Sequence, residues 1–136
     1  MILAGDIGAT KTRLALFAGT PVQQAAVSLL AIGEEVRTAI RKRLDANLET
    51  LRRAVGAVSS CRVLGRDGGW SAILQVPAVL SEEEVVLALL AQDDVLVHPG
   101  YFFDFSREAY LVLSLLPEPA MFGEALQRIL ARIDRR

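Results

Sequence analysis

Side chains of reactive types are few in this sequence. It contains two lysines, Lys11 and Lys42, one cysteine, Cys61, and one histidine, His98. A lysine amine can form a Schiff base, a thiolate can act as a nucleophile, and an imidazole can move protons or bind a metal. A single cysteine allows neither an intramolecular disulfide nor a Cys-rich zinc site, and His98 has no second metal ligand or nucleophile beside it. We therefore interpret Cys61 as a half-buried strand thiol, and His98 and Trp70 as structural residues at strand ends.

The length and charge of the chain exclude several classes of protein. Its 136 residues suit one compact domain, and 52% hydrophobic against 23% charged residues is typical of a packed globular protein. Fifteen basic and sixteen acidic side chains give a net charge of −1, which argues against nucleic-acid and membrane-surface binding. No apolar run approaches the roughly 20 residues of a membrane span, and Gly5-Asp6 interrupts the first apolar residues too early for a signal peptide. We expect a soluble, cytoplasmic protein.

The first part of the chain is predicted to form a hairpin and two helices. Apolar residues 1–4 and 13–17 flank a polar, glycine-bearing loop, which is typical of a β-hairpin that could add an edge strand to a sheet. A helix is predicted from Thr20 or Pro21, and Gly33 is predicted to interrupt it. Lys42 lies about half a turn from the apolar face of the second helix and is predicted to be solvated. That face is formed by residues at spacings of three and four: Val36, Ile40, Leu44, Leu48, Leu51 and Val55. Gly56 is predicted to end the helix in the left-handed conformation.

The rest of the chain alternates strands and helices. Strands are predicted at Cys61 to Leu64 and Ser71 to Val76 as an antiparallel pair, at Val95 to His98, and at Tyr110 to Leu115. Ser81 and Glu84 have the spacing of a capping box, which starts a helix, and Pro117-Glu118-Pro119 opens the last helix. The order helix, two strands, helix, two strands, helix predicts an α/β fold of the two-layer α+β sandwich type. Its sheet is expected to be mostly antiparallel or mixed and covered by helices.

Several segments after about Thr20 carry a family resemblance. They are the Arg-rich helix segment Arg41 to Leu48, the strand entry Gly68-Gly69-Trp70, the turn Val97-His98-Pro99-Gly100 with the aromatic residues after it, and the strand Tyr110 to Leu115. As a set, these segments resemble the small C-terminal domain of fold-type-I, pyridoxal-phosphate-dependent aminotransferases. The resemblance implies a domain over residues 20–136.

The resemblance also implies which functional groups to expect. In the family, the Schiff-base lysine and the groups that hold the cofactor come mainly from a large domain, so we expect no catalytic residue and no pyridoxal-phosphate-binding residue here, and no cofactor bound to this chain alone. These enzymes commonly hold the substrate carboxylate with an arginine in the strand that matches residues 109–114, and Val112 holds that place. Arg107 nearby is interpreted as an exposed loop residue. Because residues 101–105 approach the active site in the family, we expect them to form an exposed apolar patch.

The first 19 residues resemble a different family. The loop Asp6-Ile7-Gly8-Ala9-Thr10 is similar to the opening of bacterial glucokinases, in which an Asp-x-Gly-Gly-Thr turn lies beneath the ATP phosphates. The resemblance implies that Asp6 could help hold Mg²⁺ and that Gly8 and Thr10 could contact phosphate. Ala9 replaces the second glycine of the pattern. An ordinary hairpin turn remains the alternative interpretation.

The sequence therefore predicts a chimeric or truncated aminotransferase-like protein without independent catalysis. A glucokinase-like leader over residues 1–19 would precede an aminotransferase small domain over residues 20–136. Three alternatives remain open: a subunit that completes a split aminotransferase with a separately encoded large domain, an ATP-phosphate-binding or sugar-kinase-like module, and a dimeric interaction protein. No nucleic-acid or membrane partner and no metal site are expected.

Overall fold

The computed structural model describes residues 19–57, 60–107 and 109–135 of the chain. These residues form two compact units: the first contains residues 19–42 and 66–69, and the second contains the described residues from 43 to 65 and from 70 to 135. The predicted hairpin of residues 1–17, with its possible edge strand, lies outside the described residues. The boundary between the units at residues 42 and 43 falls within a helix, so that helix contributes to both.

The first two helices follow each other closely. Helix α1 covers Thr20–Ile32 and helix α2 covers Glu34–Gly56. Gly33 separates them as predicted, yet helical hydrogen bonding continues through it. The Gly33 N–H donates to the Leu29 carbonyl, and the Gly33 carbonyl accepts from the Arg37 N–H, both at 2.9 Å. No residue of α1 is buried. Short helices in water are only marginally stable without a packed face, so α1 is little stabilised by contacts with the other described residues.

The predicted apolar face of α2 is correct only over its second part. Leu44, Leu51 and Val55 are buried, whereas Val36 is 62% and Ile40 is 37% exposed. Apolar spacing identifies the face that could be buried, but it does not show how far along that face another element packs.

The predicted end of α2 at Gly56 is confirmed, but the predicted left-handed conformation of Gly56 is wrong. Gly56 is the last residue of α2 and has no positive φ. Instead, the Ala57 N–H donates to the Ala54 carbonyl at 3.3 Å, which tightens the end of the helix without a left-handed residue.

The second unit contains a four-stranded antiparallel sheet in the order β1-β2-β4-β3. Its strands are β1 (Arg62–Val63), β2 (Ser71–Gln75), β3 (His98–Pro99) and β4 (Tyr110–Ser114). The predicted pairing of the first two strands is confirmed, and Gly69 in the connection has a φ of 80°. The third strand covers only the last residue of its predicted range and continues into a 3₁₀ helix at Gly100–Phe103, because Pro99 lacks an N–H to extend the ladder.

Two further helices complete this unit. Helix α3 covers Glu82–Asp93, and the predicted capping box is confirmed: Ser81 Oγ accepts from the Glu84 N–H at 3.2 Å, and the Ser81 N–H donates to the Glu84 carboxylate at 3.0 Å. Helix α4 covers Pro119–Asp134. None of the helices in the described ranges combines the length and the apolar character that a membrane span requires.

The core lies on one face of the sheet. Side chains that alternate along β2 and β4, and the residues that follow each strand, join the helices in one cluster. Its strand-derived members are Ala72, Leu74, Val76, Leu111, Leu113 and Leu115, and its helical members are Leu44, Leu51, Val55, Val85, Leu89, Phe122, Leu126, Ile129 and Ile133. The unit is thus the predicted two-layer α/β sandwich, with an entirely antiparallel sheet.

One buried amide fixes α2 to the end of β4. The Asn47 side chain is fully buried, and its Nδ2 donates to the carbonyls of Leu115 at 2.9 Å and Pro117 at 2.8 Å. Arg43 adds an ion pair with Glu118 at 2.6 Å. These contacts hold the chain where it leaves the sheet and turns into α4.

Candidate functional site

The sheet face opposite the helices, which we call the outer face, carries the residues that could contact a ligand or a partner. The strand register determines which of its side chains lie next to each other in rows across the sheet. Ile73, Val112 and His98 lie side by side across β2, β4 and β3. Gln75 and Tyr110 form a neighbouring row, which the register extends to Arg62 on β1. Side chains in one row of an antiparallel sheet contact each other, so each row acts as a unit.

Val112 is at the centre of the outer face. It is only 6% exposed, yet it does not belong to the core cluster on the helical face. Ile73 and His98 flank it on the two adjacent strands. An apolar side chain here cannot donate hydrogen bonds to a carboxylate, as the guanidinium expected from the family resemblance would.

An aromatic patch lies beside this row. It consists of Tyr101, Phe102 and Phe103 in the 3₁₀ helix, which are 47%, 61% and 52% exposed. The rings of Phe102 and Phe103 each lie 6.2 Å from the His98 ring, and Tyr101 meets Phe102 edge to face at 4.9 Å. The exposed apolar patch predicted for this segment is therefore confirmed. Clustered exposed aromatic rings are typical of surfaces that bind a partner.

A buried carboxylate positions the aromatic patch. Glu82 is only 3% exposed at the start of α3. Its Oε2 accepts from the Tyr101 N–H at 2.9 Å, and its Oε1 accepts from the Tyr110 N–H at 2.7 Å. One side chain thus binds both ends of the loop between the 3₁₀ helix and β4. Residue Ala109, just before Tyr110, has a φ of 84°, which costs about 1–2 kcal/mol in an L residue and persists only where surrounding contacts fix the backbone.

Gly100 allows this arrangement because it has no side chain. A Cβ at this position would lie 2.8 Å from the Tyr110 Cβ and 2.9 Å from the Glu82 Oε1. Phe105, which continues the loop, stacks on the Tyr110 ring at 5.0 Å. The glycine of the Pro99-Gly100 turn is therefore required by close packing.

Sequence reasoning missed Glu82, Asn47 and Arg62. In the sequence, Glu82 is the first of three successive glutamates after Ser81, and its hydrogen-bond partners are 19 and 28 residues away. Arg62 is exposed on edge strand β1 and, by register, shares the row of Gln75 and Tyr110 on the outer face. Alternation along a correctly paired β1 could have placed it there. Arg107 is an exposed loop residue, as predicted.

Two clefts in the second unit are lined mainly by apolar groups. One of about 240 Å³ lies near Ser60, Pro77 and Asp134, and one of about 150 Å³ lies between Leu96, Met121 and Phe122. Neither is lined by a lysine, an arginine or a histidine. Neither of these two clefts therefore offers a cationic side chain to a bound anion.

Cys61 is the one thiol of the chain; it is buried directly before β1, rather than half-buried within a strand as predicted. Burial raises the pKa of this thiol, and the nearby Asp134 carboxylate raises it further, although a hydrogen bond with Ser60 acts in the opposite direction. A raised pKa lowers the thiolate fraction at neutral pH, so the environment does not activate Cys61 as a nucleophile.

The predicted phosphate-loop residues Asp6, Gly8 and Thr10 lie outside the described residues, as does Lys11. Within the described ranges, no group of three or more His, Cys, Asp or Glu side chains could hold a metal ion.

The described part of the chain does not fit pyridoxal phosphate. That cofactor requires an amine inside a closed site and groups that neutralise its phosphate. Lys42, the lysine among the described residues, is exposed on α2.

Comparison with solved structures identifies where this fold occurs. The chain is similar to a PLP-dependent aminotransferase from Streptococcus suis, with a TM-score of 0.72 and 22% identity over 87% of this chain and 31% of that chain. It is also similar to LysN, an alpha-aminoadipate aminotransferase from Thermus thermophilus, with a TM-score of 0.64 and 25% identity over 90% of this chain and 33% of that one. An aromatic aminotransferase from Pyrococcus horikoshii gives a TM-score of 0.66 at 17% identity over 75% of this chain and 27% of that one.

These likenesses show an aminotransferase-like fold, and the chain spans about a third of the length of the structures it resembles. No protein-family model and no curated relative matches the sequence. The comparisons lend no support to the glucokinase-like interpretation of residues 1–19.

Proposed function

We propose that this chain is an aminotransferase-like small domain that does not transfer amino groups by itself and that forms one wall of a site. The other wall would come from a large domain that holds pyridoxal phosphate, either in a longer polypeptide or in a separate subunit. The aromatic patch is the observation that carries this proposal: three exposed rings lie beside the outer face in a fold that occurs as part of larger aminotransferases.

The composition of the outer face determines what such a wall could contribute. Ile73 is half-buried and offers some apolar contact, Val112 is only 6% exposed and offers little, and the patch offers aromatic contact. This part of the face therefore suits an apolar side chain or a protein surface. A ligand carboxylate would need its cation from Arg62 at the edge of the face or from the large domain. The substrate class therefore follows from the partner as much as from this chain.

The absence of independent catalysis can be tested on the purified chain. The protein is incubated with excess pyridoxal phosphate, reduced with borohydride and digested, and labelling at Lys11 and Lys42 is quantified by mass spectrometry. We expect equal, low labelling of both lysines in native and urea-unfolded protein, and no amino transfer from a panel of amino acids. Native labelling concentrated on one lysine and abolished by its replacement with arginine would overturn the proposal.

The wall function can be tested by complementation. A large domain of an aminotransferase, expressed without its small domain, is mixed with this chain, and complex formation is followed by sedimentation. We expect Phe102→Ser to weaken the complex. Leu87 is a 55% exposed apolar residue of α3 outside the patch, and we expect Leu87→Ser to leave the complex unchanged. Equal effects of the two substitutions would contradict a role for the patch.

The loop Asp6-x-Gly8-x-Thr10 supports a second candidate, ATP-phosphate binding, through sequence resemblance alone. This candidate predicts that millimolar Mg-ATP raises the Tm and that Asp6→Asn removes the increase, because a ligand at about 100 times its Kd adds about 2.7 kcal/mol of stability. An unchanged Tm would leave the loop as an ordinary hairpin turn.

A further inference from the structure

The larger of the two clefts in the second unit has an apolar floor. Its volume is about 240 Å³, and residues from before β1, after β2, in α3 and at the end of α4 line it. Among them, Val76, Val85 and Ile133 are 6%, 3% and 7% exposed. The Val76 N–H donates to the Ala109 carbonyl at 2.9 Å, and Pro77 has no N–H. The floor therefore offers a ligand apolar surface and, from these two residues, no backbone donor.

Two polar side chains line the same cleft, the Ser60 hydroxyl and the Asp134 carboxylate, and both residues are exposed. Within the described ranges, the Asp134 carboxylate takes part in no ion pair. Asp134 is also the last residue of α4, where the free carbonyls of a helix end carry partial negative charge. The cleft thus combines an apolar floor with a negative potential at one side.

The neighbouring thiol responds to this negative potential. Burial raises the pKa of Cys61, its hydrogen bond with Ser60 acts in the opposite direction, and the Asp134 carboxylate raises the pKa further. A carboxylate raises the pKa of a thiol because it disfavours a second negative charge nearby. The same potential favours a cation in the cleft beside Asp134.

The groups that line the cleft suit an organic cation better than a metal ion. One carboxylate and one hydroxyl are fewer than the six or more oxygen ligands that Mg²⁺ or Ca²⁺ takes. A neutral apolar molecule would use the floor but would displace water from the carboxylate without replacing its hydrogen bonds. A protonated amine with an apolar body can contact the floor and pair with the carboxylate at once.

We propose that this cleft binds a small primary amine with an apolar body. The ammonium group lies against the Asp134 carboxylate and donates to the Ser60 hydroxyl, and the apolar body packs on Val76, Val85 and Ile133. Because the cleft is smaller than the roughly 300–1,000 Å³ of drug-sized sites, the ligand has about ten non-hydrogen atoms. No residue of the aromatic patch lines this cleft, and the proposal does not rest on the proposed aminotransferase-like function.

NMR titration of the ¹⁵N-labelled full chain tests the proposal, with 2-phenylethylamine as the probe and 2-phenylethanol as its neutral isostere. We expect millimolar binding for ligands of this size, with a Kd about fivefold lower for the amine than for the alcohol. Asp134→Asn should remove this difference, because the amide carries no charge. Asp45→Asn is the matched control, since Asp45 is an exposed helical aspartate of α2 that does not line the cleft.

Shifts confined to the amides of lining residues such as Val76 and Ile133, with a preference for the amine that only Asp134→Asn removes, would support the proposal. Unchanged amide signals of these residues at the highest amine concentration would overturn it, as would equal Kd values for the amine and the alcohol. A preference that persists in Asp134→Asn, or that Asp45→Asn also removes, would contradict the role of this carboxylate. Far-UV circular dichroism confirms that both variants are folded.

Discussion

Replacing Glu82 with glutamine keeps the size of the side chain but removes one of the two oxygen acceptors that hold the loop before β4. In the wild type, Oε2 and Oε1 accept from the amides of Tyr101 and Tyr110 at 2.9 and 2.7 Å. In Glu82→Gln, one of these amides would face an NH₂ group, which can only donate. Glu82 is 3% exposed, so water cannot readily replace the lost acceptor.

The size of the effect follows from the number of bonds affected. A hydrogen bond to a carboxylate contributes about 1.5–3 kcal/mol net, so losing one predicts a decrease of about 2–3 kcal/mol in the free energy of unfolding. Glu82→Ala removes both acceptors and leaves a cavity, which predicts a decrease of about 3–5 kcal/mol. For a domain with a typical total of about 5–15 kcal/mol, the alanine variant approaches the limit of folding.

Urea unfolding followed by circular dichroism measures this difference, and amide hydrogen exchange locates it. Glu83→Gln is the matched control, since Glu83 lies in the same helical turn and is exposed. We expect the control to change stability by less than about 0.5 kcal/mol. In Glu82→Gln, the amides of Tyr101 or Tyr110 should exchange faster than in the control. Equal stability of Glu82→Gln and Glu83→Gln would refute the claim that this buried carboxylate holds the loop.

Three further predictions concern the core, the glycines and pH. Asn47→Asp should lower the free energy of unfolding by about 2–4 kcal/mol in urea titrations, because two buried carbonyls lose their donor and face a carboxylate instead; an unchanged midpoint would contradict this. Gly100→Ala should lower the free energy of unfolding by about 1–3 kcal/mol through steric overlap. Gly123→Ala, in helix α4 with no atom within 4 Å of the added Cβ, should raise it by about 0.5–1 kcal/mol. Equal shifts of Tm for the two variants would contradict both predictions. The hydrogen bond from Arg132 lowers the pKa of Asp93 in the folded state. The pair therefore stabilises the fold fully above about pH 4, the ordinary pKa of an aspartate, and this contribution is lost as the pH falls through the lowered pKa of Asp93. Asp93→Asn should therefore lose less stability than the wild type between about pH 5 and 2, and parallel pH profiles would count against the pair.

Local signals predicted the fold of the second unit. Ser81 and Glu84 mark a helix start whose hydrogen bonds are made within four residues, and Gly69 marks a turn that requires a positive φ. The apolar run at Tyr110 predicted β4, one of the two interior strands, because such a run fits a strand buried between neighbours. These features depend on residues close in sequence, so one sequence contains the information needed to place them.

Long-range contacts could not be predicted, because they depend on residues that are far apart in sequence. Asn47 bonds carbonyls 68 and 70 residues away, and nothing near it in sequence distinguishes it from a surface asparagine. The exposure of Val36 and Ile40 also depends on what packs on α2, which the spacing of apolar residues does not encode.

On the outer face of the sheet, similarity of fold to aminotransferases does not extend to the side chains. Likeness to aminotransferases establishes the path of the backbone, but Val112 places an isopropyl group where the family resemblance implies a guanidinium. Arg62 is not an equivalent replacement, because it lies on β1, two strands from β4, and adjacent strands are about 4.8 Å apart. A carboxylate held by Arg62 would therefore lie towards the sheet edge, away from Val112 and the aromatic patch at its other side. The described residues of this face therefore favour apolar contact through Ile73 and the aromatic patch over an ion pair with a carboxylate.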